Sequence, residues 1–353
     1  LIKDDMKSMP VTPPSDNSIA QLIDANLDRA REGLRVMEDW CRFALKRNDF
    51  SIQIKDWRQQ LGAFHHNIYR EARLTSEDPA KGVSHPLQKT RTTPEEIFLA
   101  NSSRVQEALR VLEEFTRITD PKLSQLASKI RYESYEIEIK VINANEALGN
   151  RRILKDCSIY LITTNNENLN EIVLQALKAG VTIVQYREKF LNDKEKVSQA
   201  KELSSLCKKH NSLFIVNDRI DIALAVDADG IHLGQEDIPT KIARELLGSK
   251  KIIGRSTHCF EDIQNAEEEG CDYIGIGPIF SSQTKKKLNP MGIDYLRKGL
   301  DKTLLPAFAI GGINGSNIKK LKQIDNLRIA VSDAIINSND PFAKTQELFN
   351  FLT

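Results

Sequence analysis

No apolar run in this chain approaches the roughly 18 residues that a membrane-spanning helix needs, so a membrane partner is not expected. The first fifteen residues carry charges and prolines but no apolar core, and no secretory leader is read there. Charge of one sign is missing as well. The formal net charge is +1, which gives no bulk attraction to nucleic acid or to an anionic membrane. Cysteine is scarce: the five, at 41, 157, 207, 259 and 271, are odd in number and show no CxxC spacing. That fits reduced thiols in a cytoplasmic setting better than a disulfide framework or a zinc site. What is there is an ordinary globular composition spread over 353 residues, long enough for two domains.

Two kinds of periodicity divide the chain. Residues 1–17 hold Pro10, Pro13 and Pro14 among polar residues and read as a disordered tail. From Ser18 to about Ala147 the pattern is helical: Ile19, Leu22, Ile23, Leu27, Ala30, Leu34, Met37 and Phe43 recur at three- and four-residue steps. This half also repeats itself. "NLDRAREGLRVMEDWCRF" from Asn26 returns as "NSSRVQEALRVLEEFTRI" from Asn101, aligning Arg29 with Arg104, Glu32 with Glu107, Arg35 with Arg110 and Glu38 with Glu113. A duplicated helix pair about a pseudo-twofold, or a bundle, is expected. The Arg/Glu stripe reads first as a solvated, self-paired face. An anion or partner site is the sharper alternative.

The linker is expected within "NANEALGNRRILKDC", with Gly149-Asn150 as its break, which gives an all-helical domain over 18–147 and a second domain over 148–353. In the second, short apolar strands alternate with helical stretches such as 193–209, 239–247, 261–269 and 317–324. Eight strands in about 200 residues predict an α/β fold, a TIM (β/α)8 barrel, with an open doubly wound sheet as the alternative. The barrel is preferred because unusual residues sit at the C-terminal ends of most strands, which a barrel would gather at one mouth.

The first of these ends is "VQYREK". Alternation places Gln185, Arg187 and Lys189 on the inner wall, and Tyr186 and Glu188 toward the helices. Buried cations need an anionic partner, either a neighbouring carboxylate or a ligand. The next two strand ends supply "NDR", with Asn217 and Asp218, and "GIHLGQED", with Asp237. Either aspartate alone is more often a helix N-cap or a salt-bridge partner than a metal ligand. Together, beside two cations, they resemble a diphosphate site bridged by Mg²⁺. Further round come Ser256, the loop residues Ser282, Gln283, Thr284 and Lys285, then Gly311-Gly312, and Ser332-Asp333. The glycines before a short helix offer backbone N–H groups to a second phosphate, although closing the turn would account for them equally. His258-Cys259 is read as structural, and His232 as a residue packed or hydrogen-bonded within its strand. No activated nucleophile is found.

In order and spacing, "QYREK", "NDR", "GIHLGQED", "GRST", "GPIFSSQTK" and "AIGGI" resemble the thiamine-phosphate synthase (thiamine-phosphate pyrophosphorylase) family over about 153–350. The resemblance implies a Mg²⁺-dependent TIM-barrel transferase that joins a hydroxymethylpyrimidine diphosphate to a thiazole phosphate, small-molecule substrates both. The diphosphate leaves before the thiazole nitrogen attacks. It assigns Gln185 through Lys189, Asn217, Ser256 and Lys285 to the pyrimidine diphosphate, with Arg187, Lys189, Ser256 and Lys285 as the catalytic set. It assigns Asp218 and Asp237 to the metal, and Ser282 through Thr284, Gly312, Ser332 and Asp333 to the thiazole phosphate. Tyr186 stands where the family usually has Leu, and Ser332-Asp333 where it usually has Val-Ser. The helical half resembles the extra domain of cyanobacterial members. A thiazole-binding paralogue, a tautomerase or regulator, is the competing reading of the barrel. Self-association is the competing use of the helical half.

Overall fold

The computed structural model describes residues 17–73, 91–281 and 289–352. The tail read over 1–17 lies outside them except for Asn17, as do Ser282, Gln283, Thr284 and Lys285. Contacts divide the chain into two compact units, Leu1–Asn145 and Glu146–Thr353.

The N-terminal unit is helical. Its elements are α1 (Asn17–Asp39), a π turn (Trp40–Ala44), α2 (Asn48–Ala63), α3 (Asn67–Glu71), α4 (Pro94–Phe115) and the part of α5 (Pro121–Asp156) up to Asn145. Helix α4 starts cleanly because Thr93 at the cap and Glu96 in the first turn form a reciprocal capping box around Pro94. Ile23, Leu27, Ala30, Leu34 and Met37 of α1 are fully buried, as the spacing predicts. Each buried leucine contributes about 1.5–3 kcal/mol relative to exposure. Phe43 departs from that stripe and is 65% exposed. It lies in the π turn, where the wider coil rotates side chains off the helical face.

The repeated segments form α1 and α4, and both copies repeat local detail. Asn26 donates its amide to the Leu22 carbonyl at 2.8 Å, and Asn101 to Ile97 at 2.8 Å. Gly33 lies so close to α4 that a Cβ there would meet Val105 at 2.6 Å. Arg29, Glu32, Arg35 and their counterparts Arg104, Glu107 and Arg110 are exposed, but Glu38 and Glu113 are buried. The expected solvated stripe is therefore corrected at its C-terminal end. Each of these glutamates reaches an arginine of the following helix and leaves the surface.

Gly149-Asn150 is no break, since α5 continues through it to Asp156. Among the described residues a Cβ on Gly149 would meet nothing within 4 Å, so no close packing there calls for this glycine.

The second unit is a closed parallel barrel in strand order β1 to β8. Its strands are β1 (Ile159–Ile162), β2 (Ile183–Tyr186), β3 (Leu213–Asn217), β4 (Gly230–Leu233), β5 (Ile252–Thr257), β6 (Tyr273–Ile276), β7 (Ala307–Ile310) and β8 (Ile329–Val331). Alternation sorts their side chains into two clusters. Tyr160, Ile162, Ile183, Leu213, Ile215, Ile252, Tyr273, Phe308 and Ala330 pack together as the barrel's filling. Ile159, Leu161, Val184, Tyr186, Phe214, Val216, Ile274 and Ile329 pack outward with helix residues such as Val173, Leu203 and Leu348.

The surrounding helices are α6 (Leu169–Lys178), α7 (Asp193–Lys209), α8 (Ile220–Ala225), α9 (Thr240–Leu247), α10 (Phe260–Glu268), α11 (Gly292–Leu300), α12 (Asp333–Ile336) and α13 (Pro341–Leu352). The stretch 317–324, expected as a helix, holds only a 3-10 turn at Ile318–Leu321.

Candidate active site

The C-terminal ends of the strands surround a cavity of about 230 Å³. Gln185, Arg187, His232, Ser256, Gly312, Ser332 and Asp333 all line it. Residues expected at two separate anion sites thus share one cavity.

Gln185 is buried in β2 and donates its amide nitrogen to the Tyr160 hydroxyl at 2.8 Å. β2 ends one residue later, so Arg187 lies beyond the ladder. The Arg187 backbone N–H is held by the Thr163 hydroxyl at 3.0 Å. Burial lowers the guanidinium's hold on its proton, opposed by the nearby charges of Asp218, Asp333 and Glu188. Among the described residues no carboxylate lies within 4.0 Å of Arg187, whereas Arg219 and Arg255 of the same unit both have one. Its donors are left for a ligand. Lys189 is exposed, which corrects its expected place on the inner wall: strand alternation cannot be carried past the end of a strand. Its charge still acts on Asp218.

Tyr186 and Glu188 do not face the cavity. Tyr186 is packed outward against Phe214 and donates its hydroxyl to Gln199 at 3.0 Å. Glu188 accepts the Phe190 and Leu191 N–H groups, fixing the loop that carries Arg187. In this structure these two side chains support the core and the loop.

Asn217 ends β3, and Asp218 follows it with φ +60°, its N–H on the His232 carbonyl at 2.9 Å. That turn brings the Asp218 carboxyl against Asp237 from the loop after β4. Burial and Asp237 push Asp218 up to about 6, and Lys189 and Arg187 oppose the shift. Asp237 is itself oriented by the Gly234 N–H at 2.6 Å. Two carboxyls held together at this cost are a hard-oxygen donor pair suited to a divalent cation. Neither lines the cavity; both lie at its Arg187 side.

Across the cavity, Gly311 and Gly312 have φ +103° and +64°. A Cβ on Gly312 would stand 2.2 Å from the Ser281 carbonyl oxygen, so the backbone alone demands glycine there. The Gly312 carbonyl accepts the amides of Asn314 and Asn317. Ser332 sits next to this turn with its hydroxyl buried and without a partner among the described residues, a donor unspent by the fold. Asp333 is exposed and close enough to Arg187 to act on its charge.

His232 is hydrogen-bonded within the barrel as expected, but Tyr273 and Tyr160, which complete the floor of the cavity, were not read from the sequence. His232 contacts the Ser256 hydroxyl through Nε2 at 3.0 Å and the Tyr273 hydroxyl through Nδ1 at 3.0 Å. Tyr273 in turn meets Tyr160 at 2.7 Å. Gly254 makes this possible, because a Cβ there would overlap the Tyr273 ring at 2.0 Å. The signal was present in the sequence: Tyr160 and Tyr273 belong to the inward-facing sets of their strands. His258, bonded to the Gly277 carbonyl, and Cys259, which caps α10 through Asp262, are structural as expected.

The pattern of the family described as thiamine monophosphate synthase matches residues 159–335, the whole barrel from β1 into α12. A thiamine-phosphate synthase of Prochlorococcus marinus is 54% identical over 98% of this chain and 99% of its own length. The chain belongs to the thiamine monophosphate synthase family. A synthase of the same name from a Synechococcus strain is 48% identical over 99% of this chain and all of its own length, so these relatives also share the helical half. The pattern of the ThiD2 family matches that half over residues 21–140. Among solved structures, the thiamine phosphate pyrophosphorylase of Pyrococcus furiosus is 35% identical with a TM-score of 0.51. It covers 58% of this chain and 97% of its own.

Proposed function

We propose that the barrel is a thiamine-phosphate synthase, a transferase that joins a hydroxymethylpyrimidine diphosphate to a thiazole phosphate and releases diphosphate. One observation carries this reading. A single cavity has an uncommitted, half-buried guanidinium and a carboxylate pair at one side, and a glycine turn with an unspent hydroxyl at the other. Two phosphorylated molecules could meet there with their reacting ends between.

The chemistry asks for charge stabilisers and for no nucleophile. The bond from the pyrimidine methylene carbon to the diphosphate oxygen breaks, and its electron pair leaves with the diphosphate. The lone pair of the thiazole nitrogen then forms the new carbon–nitrogen bond. Arg187 and Lys189, with Lys285 beyond the described residues, take up the charge on the departing group. Ser256 offers its hydroxyl to the diphosphate, and Gln185 and Asn217 orient the pyrimidine portion. Gly312 and Ser332 hold the thiazole phosphate, joined by Ser282, Gln283 and Thr284, which also lie outside the described residues. Asp333 balances Arg187. Asp218 and Asp237 would hold Mg²⁺, which when bound supplies further positive charge to the diphosphate oxygens.

The test is formation of thiamine phosphate by the full chain from both substrates with Mg²⁺. Asp218→Ala should remove most turnover and most of the dependence on Mg²⁺. Folded native protein that makes no thiamine phosphate would sink the reading.

The cytoplasmic setting belongs to the same proposal, supported by Cys41, Cys157, Cys207 and Cys271 buried as free thiols. Among the described residues no helix is long and apolar enough to cross a membrane. For the helical half we propose self-association, supported by exposed apolar side chains such as Phe43 and Ile118. Sedimentation of the full chain as a monomer at every concentration would count against it.

A further inference from the structure

A chain of five buried side chains crosses the barrel's interior. It runs from Gln185 on β2 to Tyr160 on β1, Tyr273 on β6, His232 on β4 and Ser256 on β5, with heavy-atom separations of 2.8, 2.7, 3.0 and 3.0 Å. Gln185, His232 and Ser256 line the cavity, and Tyr160 and Tyr273 are not among its lining residues. All five residues are at most 8% exposed.

Proton counting makes the chain directional. A phenol has one proton, and each of these phenols has two partners. If the Gln185 amide donates to Tyr160, Tyr160 must spend its proton on Tyr273. Tyr273 then spends its own on His232 Nδ1. A neutral His232 then carries its proton on Nε2 and donates it to the Ser256 oxygen. The Ser256 proton is left over, and it faces the cavity. Flipping the Gln185 amide reverses every bond, and Ser256 would then give its only proton to His232. Burial keeps both phenols un-ionised, so neither can drop out of the count.

We propose that the chain runs from Gln185 to Ser256, so that His232, Tyr273 and Tyr160 are positioning residues that present the Ser256 hydroxyl as a donor and the Gln185 carbonyl oxygen as an acceptor to the substrate. The choice between the two directions rests on the function proposed above. A cavity that binds phosphate oxygens beside Arg187 gains from a hydroxyl proton and loses from an exposed lone pair. The opposite face of the ligand must then carry an N–H donor for Gln185, as an amino-substituted nitrogen heterocycle does.

The direct test is nitrogen NMR of the histidine side chains in the full chain. The chain has six histidines, and the signals lost in His232→Gln assign the one in question. The proton should lie on Nε2, with Nδ1 bare. A proton on Nδ1 would overturn the proposal, and this readout does not depend on whether the protein makes thiamine phosphate. Kinetics give the second readout. His232→Leu should lower kcat/KM on the order of 10- to 100-fold, the loss expected of one hydrogen bond to a charged group. His232→Gln should recover much of it, because its amide can accept from Tyr273 and donate to Ser256. Equal losses in both variants, with equal melting temperatures, would leave only a packing role and overturn the idea. If His232→Leu does not fold, Tyr273→Phe replaces it. That variant removes one oxygen and should weaken the Nε2 preference in the spectrum; an unchanged spectrum would likewise overturn the proposal.

Discussion

Glu38 and Glu113 occupy the same position in the two copies of the helical repeat, and each is buried against an arginine of the helix that follows. Arg58 of α2 donates to Glu38 at 3.0 Å, and Arg131 of α5 donates to Glu113 at 3.0 and 2.9 Å. The duplication has therefore kept an inter-helix ion pair as well as a hydrophobic stripe. Arg131→Ala leaves Glu113 buried without its main partner, which should cost about 3–5 kcal/mol. Arg35→Ala, at an exposed member of the same stripe, should cost less than about 1 kcal/mol. Both tryptophans, Trp40 and Trp57, lie in the N-terminal unit, so their fluorescence during urea unfolding reads this difference without interference from the barrel. Equal costs for the two variants would contradict the assignment.

That pair also marks how far the sequence was legible. The repeat placed Glu38 and Glu113 in register, but i, i+3 spacing pairs a residue only with its own helix. Arg58 and Arg131 lie 20 and 18 residues away, on helices whose packing the spacing does not specify. The same holds in the barrel. Eight apolar runs were readable as strands because each is buried on both faces. The Tyr160–Tyr273 contact spans 113 residues and crosses the interior, beyond the reach of any local pattern. Tyr186 was placed correctly toward the helices by alternation, and Lys189 was misplaced by the same rule once the strand had ended.

Asp24 gives a pH-dependent prediction. It is buried, and burial alone would raise its pKa. Arg73 and His65 outweigh that and hold the carboxyl below its ordinary value. The contacts are short, with Arg73 Nε and His65 Nε2 each at 2.6 Å. An acid depressed in the folded state stabilises above its unfolded pKa of about 3.9, and that contribution fades as pH falls through the lower folded value. Asp24→Asn should thus lose roughly 1.5–3 kcal/mol at pH 7. The gap from the native protein should close below about pH 4. Tryptophan-detected unfolding across pH 3–7 checks it. A gap that stays constant with pH would mean that the carboxylate charge contributes nothing.

Gly312 and Gly292 separate two costs of replacing glycine. Both have positive φ, +64° and +82°. Among the described residues a Cβ at Gly292 would meet nothing within 4 Å, whereas one at Gly312 would stand 2.2 Å from the Ser281 oxygen. Gly292→Ala should pay only the left-handed backbone cost, about 1–2 kcal/mol. Gly312→Ala must also move the chain beside the cavity. Its loss of heat resistance should be larger, and the KM for thiazole phosphate should rise while that for the pyrimidine diphosphate changes little. Activity remaining after a heating series gives the first quantity, and initial rates with each substrate varied give the second.

Adjacent residues 186 and 187 provide the sharpest separation of scaffold from site. The Tyr186 hydroxyl is spent on Gln199, and its ring stacks on Phe214 at a centroid distance of 6.2 Å, both on the helix side of the barrel. Arg187 lines the cavity and lacks a carboxylate partner within 4.0 Å among the described residues, while burial and three nearby acids act on it together. Tyr186→Phe removes one hydrogen bond and should cost about 1 kcal/mol of stability, with kcat/KM unchanged. Arg187→Ala removes charge that matters most as diphosphate departs. It should lower kcat/KM on the order of 100-fold or more and leave the melting temperature nearly unchanged, because the fold gives the guanidinium no ion pair to lose. A drop in kcat shared by both variants would mean that the loop after β2 moves as one body, and that the outward tyrosine sets the position of its neighbour.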